Sequence, residues 1–508
     1  MHDFRRRTLL HAGLGAVGAG LLAACGGASD GPKTVVPAGP AADRTEQKPE
    51  DVSSELKVAL SAAPAKLDLG GGVTVATWAF ERRTLGQEVR LTAGTTLAAE
   101  LSNRLPHGTT TSTHWHGIAL RNAMDGAPPV TQEPVPAGGT FLYRFTPKVP
   151  GTYFLHPHVG VQLDRGLYAP LIVEDPKEPL SYDAEWVVVL DDWLDGVTGT
   201  PDDVLAQLMH GNSHLDMGTA ASRSSEGTSD TLVLANGTSD LLGGHAGDVA
   251  HPHHLVNGRI PADPTVFTGR PGQRARLRIV NAGSDTAYRL ALGGHRLTIT
   301  HTDGYPVEHQ QTDALLIGMG ERYDVLVTLA DGVFPLVALA EGKDARGMAL
   351  IRTGAGTAPP PTVRPAELDG LIVTAARLRA AEGVRLKSRK TDVTHQIRLT
   401  GRMSSYNWAI DGKPFDMAHP DADPLVVEAG QRVRLDFVNR SEMWHPMHLH
   451  GHTYQFGDTG PRKDTAIVLP GQTLSVFFDA DNPGRWMLHC HNAYHGEAGM
   501  MANLAYRT

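Results

Sequence analysis

Residues 429–439 read Ala429-Gly430-Gln431-Arg432-Val433-Arg434-Leu435-Asp436-Phe437-Val438-Asn439. A glycine turn leads into a run in which Val433, Leu435 and Phe437 alternate with Arg434 and Asp436. Strict alternation of this kind marks a half-buried β-strand. Asn439 stands nine residues after Gly430, and the same interval separates Gly94 from Asn103 and Gly272 from Asn281. The middle copy carries a matching run, Ala275-Arg276-Leu277-Arg278-Ile279-Val280. A second element repeats as well. Gly138 precedes Gly151-Thr152-Tyr153-Phe154-Leu155-His156 by thirteen residues, and Gly471 precedes Gly484-Arg485-Trp486-Met487-Leu488-His489 by the same distance. The middle copy begins at Gly320 and has Ala338 and Ala340 where the others have histidine. A repeat of this length is a domain, not a solenoid unit. Short alternating runs separated by Gly, Pro, Asn and Asp therefore predict an all-β chain of three related sandwich domains, the middle one stripped of ligands.

The Glu174-Asp175-Pro176 break and the Gly/Ala/Pro tract 354–361 set the expected boundaries. They give domains at 61–178, 179–355 and 390–508, with a connector at 356–389 that carries one short helix, Pro365–Ala381. Residues 1–25 read as an export signal. Arg6-Arg7-Thr8-Leu9-Leu10 resembles a twin-arginine signal, and Leu22-Ala23-Ala24-Cys25 resembles a lipobox whose cysteine takes a lipid. Residues 26–60, rich in Gly, Ala, Pro and charge, read as a flexible tether. The expected location is periplasmic or cell-surface, with membrane attachment only through a lipid on Cys25.

Composition narrows the function. Lys+Arg number 46 against Asp+Glu 55, a net charge of −9 that argues against nucleic acid as a partner. Two cysteines exclude a disulfide scaffold and any multi-cysteine metal site. Twenty-five histidines point toward metal.

Eight of those histidines come as four pairs: His114-Trp115-His116, His156-Pro157-His158, His448-Leu449-His450 and His489-Cys490-His491. In an extended strand, residues i and i+2 leave the same face. Eight imidazoles suffice for three metal ions holding three, three and two ligands, with open positions for a small molecule. Cys490 lies between two paired histidines, so its sulfur faces the opposite way. His445, His495 and Met500 are spaced to join it, and two His, one thiolate and a weak thioether are the donor set of a blue-copper electron-transfer centre.

These segments, with Trp115-His116-Gly117, Met124–Gln132 (MDGAPPVTQ) and Asn257-Gly258-Arg259, resemble the multicopper oxidases over about residues 65–508, most nearly the three-domain bacterial laccase-like and copper-resistance branch. The resemblance implies three consecutive cupredoxin-like Greek-key sandwiches and four copper ions. It places a type 1 copper on His445, Cys490, His495 and Met500, and a type 2 copper on His114 and His448. The type 3 pair would take His116, His156 and His491 on one ion and His158, His450 and His489 on the other. The implied reaction couples one-electron oxidation of a phenol, an aromatic amine or Cu(I) to four-electron reduction of O2 to water. Asp125 resembles the family's proton-relaying acid, although Asp125-Gly126 is also a turn dipeptide. Glu497, one position later than a glutamate common in related enzymes, is a second candidate relay. Asp464 is a candidate partner of a ligating histidine or a loop cap.

Two other classes compete. An exported copper carrier needs only the type 1 ligands, so the eight paired histidines speak against it. A copper nitrite reductase pairs the thiolate with one neighbouring cluster histidine, whereas Cys490 has two. Met443, Met447, Met487 and Met501 read as packing around the type 1 motifs or as a guide for Cu(I). Met209-His210-His214-Met217 and His245-His251-His253-His254 read as solvated loops or accessory copper sites.

Overall fold

The computed structural model describes residues 54–210 and 232–507. Residues 1–53, with the export signal, Cys25 and most of the tether, lie outside that range, as do His214 and Met217. Among the described residues no helix is long and apolar enough to cross a membrane.

Three β-sandwiches follow one another. In the first, strands Val73–Phe80, Glu55–Gly70, Thr96–Asn103 and Thr140–Phe145 form one sheet in that order, and Val89–Thr92, Ala169–Glu174, Gly151–His156 and His114–His116 form the other. The second is built of two six-stranded sheets, the third of a six-stranded and a five-stranded one. The opening strand of each sandwich pairs parallel with the repeated strand: Glu55–Gly70 with Thr96–Asn103, Ala184–Trp193 with Arg274–Asn281, and Val393–Thr400 with Arg432–Asn439. Parallel neighbours cannot be joined by a hairpin, so the chain crosses to the other sheet between them, which generates the Greek key.

The glycine–asparagine repeat has a physical cause. Gly94, Gly272 and Gly430 sit at φ of 89°, 78° and 84°, a turn conformation that costs a glycine little. Each asparagine is fully buried and locks two loops together. The Nδ2 groups donate to the carbonyls of Thr109 and Val135 from Asn103, of Thr286 and Ile317 from Asn281, and of Met443 and Val468 from Asn439. The Oδ1 atoms accept from the backbone two residues on, at Leu105, Gly283 and Ser441. A buried backbone carbonyl needs a donor, and one amide supplies two.

Two expectations are corrected. Residues 55–60 do not belong to the tether: they open the strand Glu55–Gly70 and pair with Thr96–Leu101. Leu56, Val58 and Leu60 do alternate there, but the charged residues before and between them mask the pattern. The helix expected at Pro365–Ala381 is absent. Two short 3-10 turns, Ala366–Asp369 and Ala375–Arg377, flank the strand Ile372–Val373, which pairs with Ala314 and Leu315. Gly370 breaks the run, and the free sheet edge captures Ile372 and Val373. Conversely, an unforeseen helix spans Pro201–His210, where Thr200 and Asp203 cap one another and Val204 and Leu208 are buried.

Candidate metal centres

His445 lies on the strand His445–Leu449, which pairs antiparallel with Arg485–Cys490 so that Met447 faces Cys490 and His448 faces His489. Past Cys490 the chain turns into the short helix Ala493–Glu497. Asn492 caps it, its side chain accepting from the N–H groups of Tyr494 and His495. This turn carries His495 back over the thiol. The Nδ1 atoms of His445 and His495 are 3.0 Å apart and lie 3.6 and 3.7 Å from Cys490 Sγ. The outer nitrogens are engaged: His445 Nε2 with Ser441 Oγ at 2.7 Å and His495 Nε2 with Asp248 Oδ2 at 2.8 Å. With Nε2–H given to these oxygens, both inner lone pairs face the sulfur. Met500 is fully buried, and its carbonyl accepts from Cys490 N–H at 3.0 Å. Burial pushes the Cys490 thiol up, so ionisation there requires a cation.

The paired histidines converge on the other side of the same strand. His489 Nε2 is 3.0 Å from His450 Nε2 and 3.3 Å from His158 Nε2. The His491 ring is 4.8 Å from that of His116 and 5.3 Å from that of His156. His489 and Cys490 thus face different clusters, as alternation along a strand requires. In most of these rings one nitrogen is held and the other is left inward. Nδ1 of His114, His156, His448 and His489 bonds to the carbonyls of Asp125, Pro157, Asp464 and Cys490. The Nε2 atoms of His114, His156 and His448, Nδ1 of His116 and both nitrogens of His491 are buried without a partner. Burial, reinforced by mutual repulsion, holds His116, His156, His158, His450 and His491 well below the usual imidazole range and His489 down to about 3. Neutral imidazoles with orphaned lone pairs aimed at one another are costly unless a cation sits between them, so this donor set fits a metal. The ligand atoms of His158, His450 and His489 lie within 4.8 Å of each other, as do those of His445, Cys490 and His495.

Three carboxylates surround the histidines. Asp125 Oδ2 bonds His450 Nδ1 at 2.8 Å, and its buried Oδ1 lies 3.3 Å from His114 Nδ1. Asp464 Oδ1 is 3.1 Å from His116 Nε2, and Arg322 grips the carboxylate at 2.7 and 2.6 Å. Burial alone would raise the Asp464 carboxyl; the guanidinium outweighs it and holds the group well below the carboxylate range. Glu497 lines a cavity of about 20 Å³ with His156, His158, His489 and His491, and burial raises its carboxyl to about 7.

Sequence reading missed the contributions of the middle domain. Arg322, Asp248 and Gly320 all come from it, and a Cβ on Gly320 would lie 2.8 Å from His491 and 3.0 Å from His116. Gly320 reads in the sequence only as a repeat glycine, and nothing in the local spacing of Arg322 or Asp248 sets them apart. The solvated-loop reading of the histidines at 245–254 is corrected in part: His245 is exposed and His253 half-buried, but His254 is buried and bonds Tyr288 at 2.8 Å, and buried His251 lies between Asp164 and Asp192. The four methionines near the type 1 motifs are buried in apolar clusters.

Three cupredoxin sandwiches, with two imidazoles and a thiol in one cluster and eight histidines in another, fit a copper-binding oxidase. Multicopper oxidase family models match residues 62–178, 185–355 and 389–508. The chain belongs to the multicopper oxidase family and is an oxidoreductase. It is 49% identical to the multicopper oxidase MmcO of Mycobacterium tuberculosis over 453 residues, 88% of this chain and 86% of that protein. It is 29% identical to a copper resistance protein A homolog of Pseudomonas syringae pv. tomato, over 82% of this chain and 86% of that one. Among solved structures, the fold matches Fet3p, a multicopper oxidase that functions in iron import, with a TM-score of 0.74 at 20% identity over 89% of this chain and 90% of that one.

Proposed function

We propose that the chain holds four copper ions: a type 1 ion on His445, Cys490, His495 and Met500, a type 2 ion on His114 and His448, and a type 3 pair on His116, His156 and His491 and on His158, His450 and His489. The observation that carries this reading is the two-sided strand at 489–491, whose imidazoles and thiol enter separate donor sets. When bound, copper supplies one-electron oxidation of a phenol, an aromatic amine or Cu(I) at the mononuclear centre and reduction of O2 to two waters at the trinuclear one.

The chain supplies the rest. His489, Cys490 and His491 join the two centres covalently. Carbonyl and carboxylate acceptors fix the tautomer of six of the eight paired rings, all but His158 and His491, so their inward nitrogens need no reorganisation. Asp125, with Oδ2 on His450 Nδ1 and Oδ1 3.3 Å from His114 Nδ1, holds and passes a proton at its carboxylate between the two rings. Glu497 does the same at the small cavity, where a carboxyl near 7 is poised to gain and lose protons at neutral pH. A copper carrier would have no use for the second centre. We also propose export through residues 1–25 with a lipid on Cys25.

Copper-loaded protein should contain four ions per chain, be blue and consume O2 with a phenolic donor. A blue protein lacking O2 consumption would turn the reading toward a carrier. Steady-state kinetics with Cu(I) and several phenols decide the substrate: strong preference for Cu(I) supports copper detoxification, and preference for phenols removes it.

A further inference from the structure

The proposed type 1 centre belongs to the third domain, yet its loop is held by a charged pair in the second. Asp285 is fully buried and receives four groups: Asp248 N–H and Val249 N–H at 3.0 Å, Asn492 Nδ2 at 2.7 Å and Lys343 Nζ at 2.5 Å. Lys343 Nζ also donates to Thr286 Oγ1 at 2.9 Å, and its side chain is 3% exposed.

Two branches leave this carboxylate, and both end on the same centre. Through Asn492, the bond to Asp285 fixes which way the amide points. Its Oδ1 then accepts from Tyr494 N–H and His495 N–H at 3.0 and 3.1 Å, which seats His495 over the Cys490 sulfur. Through the Asp248 backbone, Asp285 seats the residue whose side chain accepts from His495 Nε2 and from Tyr406 Oη at 2.8 and 2.7 Å. Ala493 N–H donating to Ser284 O at 3.0 Å ties the same loop to the residue before Asp285. One carboxylate therefore fixes the loop that carries His495 over the thiol and the residue that accepts from the outer nitrogen of that ring. Lys343 supplies the counter-charge that makes a buried carboxylate tolerable there.

We infer that Asp285 and Lys343 are positioning residues for the type 1 centre, acting through Asn492 and Asp248, and that their opposite charges set its reduction potential. This rests on the type 1 assignment made above. The sign of each effect follows from electrostatics in a poorly screened interior. The oxidised centre carries the larger positive charge. Removing the Lys343 cation favours it and lowers the potential, whereas removing the Asp285 anion raises the potential.

The test uses the copper-loaded full chain, with copper content, visible and electron paramagnetic resonance spectra, and spectroelectrochemical potentials. Lys343→Met should lower the potential, Asp285→Asn should raise it and alter the blue spectrum, and the double variant should lie between them. Lys343→Arg, which keeps the charge, should load copper fully and return the parent potential. Shifts of the same sign, no shift, or a Lys343→Arg protein that cannot load copper would overturn the inference. Cys490→Ser is the control. If it stays blue, the type 1 assignment fails; if it is colourless while the pair variants match the parent, this inference alone fails.

Discussion

The middle sandwich and its two neighbours are built alike and do different work. All three carry the glycine turn, the parallel opening pair and the buried asparagine lock. Apolar side chains of the first and third form one continuous core, whereas most of those of the middle one form a core of their own. Where the outer domains place paired histidines, the middle one places Ala338 and Ala340, both fully buried. It contributes instead the groups that hold the ligands: Arg322 on Asp464, Asp248 on His495 and Asp285 on Asn492. The lesson is that scaffold, ligand set and ligand support vary independently on one fold.

The comparison can be broken in several ways. The largest effect is expected at the ligands. Cys490→Ser should abolish the blue colour and turnover together, as absorption and an oxygen electrode would report, while an alanine-to-histidine change at Ala338 should add no copper. Next comes ligand support. Arg322→Met leaves the Asp464 carboxylate buried without its cation and should cost about 3–5 kcal/mol in denaturant unfolding. A variant as stable as the parent would remove the middle domain from the support of the centres. Smaller still are the locks. Asn281→Ala and Asn439→Ala each strand buried carbonyls and should cost about 1–3 kcal/mol. Asn439→Ala should change the blue spectrum more than Asn281→Ala, because Ser441, held by Asn439, bonds His445 directly, whereas Gly283 and Thr286, held by Asn281, reach the centre only through Asp285. Equal spectra would show that the lock and the ligands are uncoupled. The smallest effect is a pH slope. The Glu497 carboxyl is raised from 4.5 to about 7 on folding, so the native state takes up a proton in that window. Its stabilising contribution is complete below pH about 4.5 and is lost as pH rises through about 7. Copper-free Glu497→Gln should flatten that slope by about 1 kcal/mol after allowance for solvent screening.

The sandwich count was readable because it rests on local pattern. Gly430 and Asn439, and their two counterparts, are turn and lock residues whose spacing is fixed by one strand length. The eight paired histidines and Cys490 were readable because period-two alternation assigns them faces directly. Arg322, Asp248, Asp285 and Lys343 were not. Each meets its partner more than a hundred residues away, or through one that does, and a buried arginine looks in sequence like any strand arginine. Residues 55–60 failed for a different reason: their pairing partner, Thr96–Leu101, supplies the order that their own composition does not advertise.

The tripeptide at 489–491 carries a constraint on chain length. Replacing one of its side chains damages one centre and leaves the other's donors in place. Adding or deleting a single residue there would break the alternation at the end of the strand Arg485–Cys490 and exchange the faces taken by imidazole and sulfur. Divergence in this stretch is therefore expected to proceed by substitution, with insertions displaced to the surface loops.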